Sequence, residues 1–292
     1  MKEKTTANPK VTERDLDEIR VLIEQRSGIQ FDASRERFFS TRVAEHLRER
    51  GFADATAMFR RIASSNAEYD GLLERLLTQE TSFFRYPAVY EALVRRILPE
   101  MHAKKFWEKD RTLRIWSAGC STGEEPYSIA IAIADALDFA EAWNIDILAT
   151  DISHRALKHA ERGVYPRRAL ANFTPEQIKT HFAVEGSHCK VRTRLRRWVT
   201  FSLMNLAQAT YVGRMDCIFC MNVLIYFSDE QRNTVLQRLY GALEPGGYLF
   251  LGHSETIANA SLKLESILQG DCILYRKPGA TVEARSLAGA RS

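Results

Sequence analysis

The stretch from Leu113 to Tyr127 constrains the fold of this 292-residue chain more than any other. Its first part, Leu113 to Ala118, is an apolar run typical of a buried parallel strand. Gly119 and Gly123 follow, and apolar residues then recur at helical spacing through Leu137. A strand, a glycine turn and a helix in this order predict the first unit of a nucleotide-binding α/β domain, in which the backbone approaches a ligand closely.

Carboxylates near these glycines indicate the charge of the ligand. Glu124 and Glu125 stand at the helix start, where a dinucleotide fold would seat its pyrophosphate, and they would repel that anion. A sulfonium with an α-amino group is cationic, so S-adenosylmethionine fits better than NAD. Asp151 follows a second apolar run, Ile145 to Thr150, roughly thirty residues beyond the glycine loop. A Rossmann-like fold binds ribose hydroxyls with an acid at this position.

An α/β-hydrolase is a competing interpretation of the same loop. Gly119-Cys-Ser121-Thr-Gly123 matches the nucleophile elbow G-x-S-x-G, and Asp151 and His253 follow in the hydrolase order. Hydrolases place several strands before the nucleophile, whereas the chain before Leu113 has helical periodicity. We therefore expect Leu113 to begin the first strand of the sheet, which favours a cofactor loop.

Composition narrows the class of protein. The net charge of +4 does not by itself indicate nucleic acid, and no apolar run reaches the roughly 20 residues of a membrane span. The N-terminus lacks a signal core, so we expect a cytoplasmic protein without membrane insertion. Five scattered cysteines do not predict a disulfide framework. His181, His188 and Cys189 have no second ligand pair; we interpret them as surface residues and expect no metal.

The apolar pattern divides the chain into segments. Residues 12–86 contain four short amphipathic helices, which predict an all-α N-terminal domain, and a connecting helix is expected in residues 87–110. Residues 111–277 alternate strands and helices, with an insert at about 164–198 in which Cys189 to Val199 alternates like an antiparallel strand pair. Residues 1–11 and 278–292 are polar or small and are expected to be disordered.

The segment between the helical and α/β parts reads Thr78-Gln-Glu-Thr-Ser-Phe-Phe-Arg-Tyr-Pro87. It breaks the helical periodicity and places polar groups beside two phenylalanines. We call residues 79–86 the strap, and we expect it to line a cleft; a plain linker is the alternative.

Several motifs together resemble the CheR chemotaxis receptor methyltransferases. They are Ser117-Ala-Gly-Cys-Ser-Thr-Gly-Glu-Glu-Pro-Tyr-Ser128, Ala149-Thr-Asp-Ile152, Phe219-Cys-Met-Asn-Val-Leu-Ile-Tyr-Phe227, Gly252-His-Ser-Glu255 and Glu80-Thr-Ser-Phe-Phe-Arg85. The resemblance covers residues 12 to 277. It implies an α/β, Rossmann-like S-adenosylmethionine-dependent methyltransferase domain with a small inserted antiparallel β-subdomain, preceded by an all-α domain. It also implies methyl-ester formation on glutamates in the cytoplasmic domains of chemoreceptors.

The resemblance also assigns site residues by position. Cofactor contacts are implied for Gln79, Thr81, Arg85, Glu124, Asp151, Asn205, Leu206, Met221 and Asn222. Gln79 stands where the family usually has Asn, and Met221 where it usually has Arg, so an amide is kept at the first position and a charge is lost at the second. We expect Arg85 to orient the target carboxylate or the cofactor and Tyr226 to shape the methyl channel, whereas core packing is the alternative for Tyr226. His253 is expected to be a structural loop residue.

Arginine-rich stretches predict a docking surface for an acidic partner. Arg42 and Arg48 lie on the second helix, and Arg194 and Arg196 lie in the insert. A solvated charged face is the alternative. A nucleic-acid methyltransferase would use the same arginines, but Met221-Asn222-Val223-Leu224 lacks the prolines of base-amino methyltransferases. A non-catalytic scaffold is disfavoured by the intact glycines, Asp151 and Asn222. We expect a monomer.

Overall fold

The computed structural model describes residues 11–106, 111–137, 139–208, 212–258 and 260–279. The ends predicted to be disordered, residues 1–11 and 278–292, lie almost entirely outside these ranges. The chain divides into two compact units, Met1–Thr78 with Tyr226–Gln231 and Gln79–Ile225 with Arg232–Ser292. The strap therefore groups with the second unit, and the division falls between Thr78 and Gln79.

The first unit contains four amphipathic helices. They are α1 (Glu13–Ser27), α2 (Glu36–Glu49), α3 (Ala55–Ser64) and α4 (Asn66–Leu76). Thr12 and Asp15 form a capping box at the start of α1, and Gly28 ends it with a φ of 78°. The segment Tyr226–Gln231 joins this unit through its backbone, since the Gln30 amide donates to the Tyr226 carbonyl at 2.8 Å.

A histidine in the core of the first unit lacks hydrogen bonds. His46, on α2, is 1% exposed, and neither ring nitrogen has a hydrogen-bond partner among the described residues. Burial, together with the nearby Arg75, lowers the pKa of His46 from 6.5 to about 4. The neutral ring is therefore the form compatible with the folded unit.

The pKa of His46 predicts how the stability of the protein depends on pH. Below pH 6.5 the unfolded chain binds a proton that the folded chain excludes, so this residue lowers stability as the pH falls from 6.5 toward 4. His46→Leu should remove that dependence and raise the unfolding free energy at pH 5 by about 1–3 kcal/mol relative to wild type. Urea denaturation of both proteins at pH 5 and 7.5 measures the difference. His188→Leu, at an exposed histidine, is the control; equal pH slopes in wild type and His46→Leu would contradict the prediction.

The second unit begins with the strap and a connecting helix. This helix runs as α5 (Pro87–Ala92), a π-helical turn (Leu93–Ile97) and α6 (Leu98–Lys105). The remaining helices are α7 (Glu124–Ala136), α8 (His154–Arg162), α9 (Pro175–His181), α10 (Thr193–Arg196) and α11 (Asp229–Ala242). No helix in the described ranges is both long and apolar enough to cross a bilayer.

The described part of the second unit contains two sheets: a central one of seven strands and a small one of three strands in the insert. In chain order the strands are β1 (Thr112–Ala118), β2 (Asn144–Asp151), β3 (Val164–Pro166), β4 (Phe182–Glu185), β5 (His188–Val191), β6 (Val199–Leu203), β7 (Met215–Cys220), β8 (Leu243–Leu251), β9 (Glu265–Gln269) and β10 (Cys272–Arg276). The large sheet has the order β6-β2-β1-β7-β8-β10-β9, and only the β10 pairings with β8 and β9 are antiparallel. As expected, β1 is the first strand.

The strand order determines where a ligand can bind. β1 lies between β2 and β7, so the chain leaves β1 toward one side of the sheet and returns later to its other side. Such a reversal opens a crevice at the carboxyl ends of the strands. The glycine loop, Asp151 and Met221-Asn222 follow β1, β2 and β7, and all three lie at this edge.

The insert contains the predicted small antiparallel sheet, but its strands are not where the alternation placed them. Its sheet has three antiparallel strands in the order β3-β5-β4, and residues 193–196 are helical, so the strand pair predicted at Cys189 to Val199 is wrong. The alternation in that segment comes from the buried Cys189 and Val191 on β5 together with the buried Leu195 on α10. His181 and Cys189 are also buried, which contradicts their assignment to the surface.

Candidate cofactor and substrate site

The loop after β1 is held in a conformation that requires glycine. Positive φ angles occur at Gly119 (84°), Ser121 (47°) and Gly123 (95°). A Cβ atom on Gly119 would lie 2.4 Å from a Val223 methyl carbon, so the loop packs directly against the segment after β7. The amides of Gly119 and Cys120 both donate to the Thr150 carbonyl, at 2.8 and 2.9 Å. The loop is thereby fixed to the ends of β2 and β7.

Asp151 organises the end of β2. Its carboxylate accepts hydrogen bonds from the backbone amides of Ser121 and Ser153, both at 2.8 Å. The Ser153 hydroxyl in turn accepts from Nε2 of Gln79 at 2.8 Å, so the amide of the strap is anchored beside Asp151. The Met204 amide donates to the Asp151 carbonyl at 2.9 Å, which brings the following Asn205 and Leu206 to the same edge.

The two carboxylates at the start of α7 have separate partners. Glu124 accepts from the Thr122 hydroxyl at 2.6 Å, and burial raises the pKa of Glu124. Glu125 accepts from the Ser117 hydroxyl at 2.6 Å. Burial raises the pKa of Glu125 to about 7; the Ser117 hydrogen bond opposes this shift, and the charge of Glu255 adds to it. The site therefore holds an acid that titrates near neutral pH.

Glu125 should make the protein less stable as the pH rises from 4.5 to 7, because over that window the folded chain holds a proton that the unfolded chain releases. Glu125→Gln keeps an oxygen for the Ser117 hydroxyl and removes the titration. We expect its unfolding free energy to match that of wild type near pH 4.5 and to exceed it by about 1–3 kcal/mol above pH 7. Denaturant titrations across this range, with the exposed Glu185→Gln as control, measure the gap. A constant difference at all pH values would count against the assignment.

The far end of the strap is attached to the segment after β7. The Arg85 guanidinium donates to the Glu80 carbonyl at 2.8 Å and lies 5.4 Å from the ring centroid of Tyr86. The Tyr86 hydroxyl donates to Oδ1 of Asn222 at 2.8 Å, and the ring of His253 meets that of Tyr86 edge-on at 4.7 Å. His253 thus packs against the strap from the loop after β8.

Glu255 holds the segment after β7 in place, and sequence analysis assigned no role to it. Its buried carboxylate accepts from the backbone amides of Gly252 at 2.6 Å, Asn222 at 2.9 Å and Ile225 at 3.2 Å. A Cβ atom on Gly252 would lie 2.7 Å from this carboxylate, which explains the glycine. The Gly252-His-Ser-Glu255 motif was the available signal, but sequence spacing alone does not show which amides a carboxylate accepts from.

Tyr165 is a second residue that sequence reasoning missed. It lies on β3 of the insert, is 1% exposed and donates to the Thr122 carbonyl at 2.8 Å. Its ring also packs edge-on against Phe83 of the strap at 4.9 Å. The insert is thereby fixed to both the glycine loop and the strap. No motif signalled this, because the contact joins residues far apart in the chain.

The other predicted site residues have less defined surroundings. Thr81 is half-buried, and its side chain has no hydrogen-bond partner within the described residues. Met221 is half-buried and packs against the core. Tyr226 belongs to the first unit, where the Arg35 guanidinium lies 5.2 Å from its ring centroid.

The arginines of the insert are largely engaged with backbone carbonyls. Arg194 donates to the carbonyl of Thr180 at 3.3 Å, near the end of α9, and Arg196 donates to that of Glu161 at 2.7 Å, near the end of α8. On α2, Arg42 pairs with Glu45 at 2.8 Å, whereas Arg48 is exposed. Substituting the insert arginines would therefore disturb helix ends as well as surface charge.

The described residues also bear on the hydrolase alternative and on the histidines and cysteines considered as metal ligands. The described part of the chain contains no cluster of three His, Cys, Asp or Glu side chains arranged to hold a metal. Nε2 of the buried His181 lies 2.8 Å from a carboxylate oxygen of Asp135. Burial lowers the pKa of His181, so the neutral ring, donating from Nε2, is favoured. The Ser121 hydroxyl is buried without a hydrogen-bond partner among described residues, so no histidine there activates it as a nucleophile.

The arrangement fits S-adenosylmethionine. The Ser121 hydroxyl, which lacks a hydrogen-bond partner among the described residues, lies in the glycine loop, and the Ser121 backbone amide donates to the carboxylate of Asp151. The acids Glu124 and Glu125 at the start of α7 suit a cationic ligand and oppose a pyrophosphate. These observations agree with the cofactor predicted from the sequence.

Comparison with known proteins supports the same conclusion. The model of the CheR methyltransferase SAM binding domain matches residues 79–271, and that of the CheR all-alpha domain matches residues 14–77. A chemotaxis protein methyltransferase of Pseudomonas aeruginosa is 33% identical over 273 residues, which cover 90% of this chain and 97% of that protein.

Two further relatives carry the name chemotaxis protein methyltransferase. The one from Salmonella typhimurium is 36% identical over 261 residues, covering 86% of each chain. The one from Borreliella burgdorferi is 31% identical over 261 residues, covering 87% of this chain and 92% of the relative. The resemblance seen in the sequence is confirmed: this chain belongs to the CheR methyltransferase family, with its all-α domain followed by its S-adenosylmethionine-binding domain.

Proposed function

We propose that this protein transfers the methyl group of S-adenosylmethionine to glutamate side chains of chemoreceptors, giving methyl esters that adapt chemosensory signalling. The observation that carries the proposal is that relatives named chemotaxis protein methyltransferase match this chain across both family domains, over 90% of its length in the Pseudomonas aeruginosa relative. The intact glycine loop and the anchored Asp151 support it.

The residues at the carboxyl edge of the sheet would hold the cofactor. Asp151 would accept ribose hydroxyls, while Glu124 lies at the start of α7 and Asn205 and Leu206 follow β6. Gln79, Thr81 and Arg85 of the strap and Met221 with Asn222 complete the proposed set. The bound cofactor supplies an electrophilic methyl group on a sulfonium.

The reaction requires little acid–base chemistry from the protein. A glutamate side chain is already ionised near pH 7, so it attacks without a general base. The protein therefore accelerates the reaction mainly by placing the carboxylate in line with the methyl group and by excluding water. Excluding water helps because the opposite charges of the two reactants are neutralised in the transition state. Arg85 would orient the target carboxylate or the cofactor. Tyr226, which follows Asn222 closely in the chain, would shape the methyl channel.

Docking would use charge on the first unit. The exposed Arg48 and the neighbouring Arg42 on α2 would steer an acidic receptor surface, in a salt-dependent way. Arg194 and Arg196 are weaker candidates because they already bind helix carbonyls. We also propose that the protein acts in the cytoplasm and as a monomer.

Label transfer tests the function directly. The purified protein is incubated with methyl-labelled S-adenosylmethionine and receptor-containing membranes from its host, and the label released by mild base is counted. We expect the receptor to carry label that mild base releases, because base hydrolyses methyl esters of glutamate. The Ser121→Ala variant should retain most of this activity, since Ser121 offers at most one neutral hydrogen bond. Base-stable label, or esterase activity lost in Ser121→Ala, would refute the proposal.

Asp151→Ala tests the cofactor assignment. Removing a charged acceptor should weaken S-adenosylhomocysteine binding about ten- to a hundredfold, because hydrogen bonds to charged groups contribute roughly 1.5–3 kcal/mol. Titration calorimetry measures the affinity, and circular dichroism confirms that the variant is folded. Asp146→Ala, on the same strand but near its start, is the matched control. A folded Asp151→Ala protein with wild-type affinity would exclude Asp151 as a ligand.

A further inference from the structure

The hydrogen bond between Tyr86 and Asn222 has a consequence for the choice of substrate. Both residues are half-buried and belong to the second unit. The Tyr86 hydroxyl donates to Oδ1 of Asn222 at 2.8 Å. A carboxamide has one acceptor end and one donor end, and this bond engages the acceptor end.

The rest of Asn222 is also fixed. Its backbone has a φ of 59°, a left-handed conformation that Asn tolerates, and its amide donates to the Glu255 carboxylate at 2.9 Å. The side-chain amino group has no acceptor among the described residues. Tyr86 is itself held between the Arg85 guanidinium and the ring of His253. The strap therefore sets the orientation of the carboxamide, and both N–H donors of its amino group remain for a ligand.

We propose that Tyr86 is a positioning residue that makes Asn222 a hydrogen-bond donor to the reacting group and so selects carboxylates over amines. This inference rests on the proposed function and on the assignment of Asn222 to the site. A carboxylate oxygen accepts the N–H of Asn222 while its other lone pairs remain available for attack. An amine nucleophile needs an acceptor instead, and it would compete with the Tyr86 hydroxyl for Oδ1, whereas the amino end of Asn222 offers only donors.

The proton balance of the two reactions supports this discrimination. When a carboxylate attacks, an O–CH3 bond forms, the S–CH3 bond breaks with its electron pair on sulfur, and no proton is released. When a neutral amine attacks, the product is a methylammonium that must pass a proton to an acceptor. A site that offers a donor at this position favours the first reaction.

Tyr86→Phe removes the hydroxyl and keeps the ring contacts with Arg85 and His253. We expect kcat/KM for receptor to fall about two- to tenfold, as the loss of one neutral hydrogen bond predicts, while the affinity for S-adenosylhomocysteine stays within about twofold. Asn222→Asp presents acceptors only and should lose more receptor activity than Tyr86→Phe. Tyr248→Phe is the matched control: it loses one side-chain hydrogen bond, to Glu100, within the same unit and should keep wild-type kinetics.

A double-mutant cycle separates positioning from general support of the fold. Asn222→Gly removes the carboxamide and tolerates the positive φ. If Tyr86 acts through Asn222, adding Tyr86→Phe to Asn222→Gly should leave kcat/KM for receptor unchanged. Equal losses from Tyr86→Phe in both backgrounds, or unchanged kinetics in the single variant, would overturn the inference. Wild-type protein that transfers no base-labile methyl would instead refute the proposed function itself.

Discussion

Two carboxylates, each accepting hydrogen bonds from several backbone amides, hold the loops of the site together. Asp151 binds the amides of Ser121 and Ser153, and Glu255 binds those of Gly252, Asn222 and Ile225. A buried backbone amide without a hydrogen-bond partner destabilises the folded state. Loops that follow a strand have no neighbouring strand to accept from their amides. Each carboxylate therefore replaces the hydrogen bonds that the sheet no longer provides, and the loops after β1, β7 and β8 acquire one conformation.

The strap depends on these loops at both ends. Gln79 bonds to Ser153, next to one carboxylate, and Tyr86 bonds to Asn222, which the other carboxylate holds. Between them the amide of Phe84 donates to the Ser128 hydroxyl at 3.0 Å. The strap is thus positioned by side-chain bonds rather than by regular secondary structure. Its two ends therefore lie at the edge of the sheet where the cofactor is proposed to bind.

Several acidic side chains lie near that edge, and their burial and mutual repulsion destabilise the folded site. Removal from water and the charge of Glu255 shift the pKa of Glu125 upward, and Arg85 opposes the shift. A cationic cofactor would relieve the same repulsion. Binding and folding should therefore be coupled at this site, with the acids destabilising the free protein more than the complex.

The sequence by itself determined the α/β class, β1 as first strand, the helical N-terminal unit and the family, because periodicity and the Gly119–Gly123 motif are local signals. Only the tertiary structure revealed the roles of Glu255, Tyr165 and Tyr86. Each bonds to a residue or backbone group far along the chain, and spacing does not specify such partners. The strands of the insert were misplaced for a related reason: burial of Cys189 and Leu195 on different elements imitates the alternation of one strand.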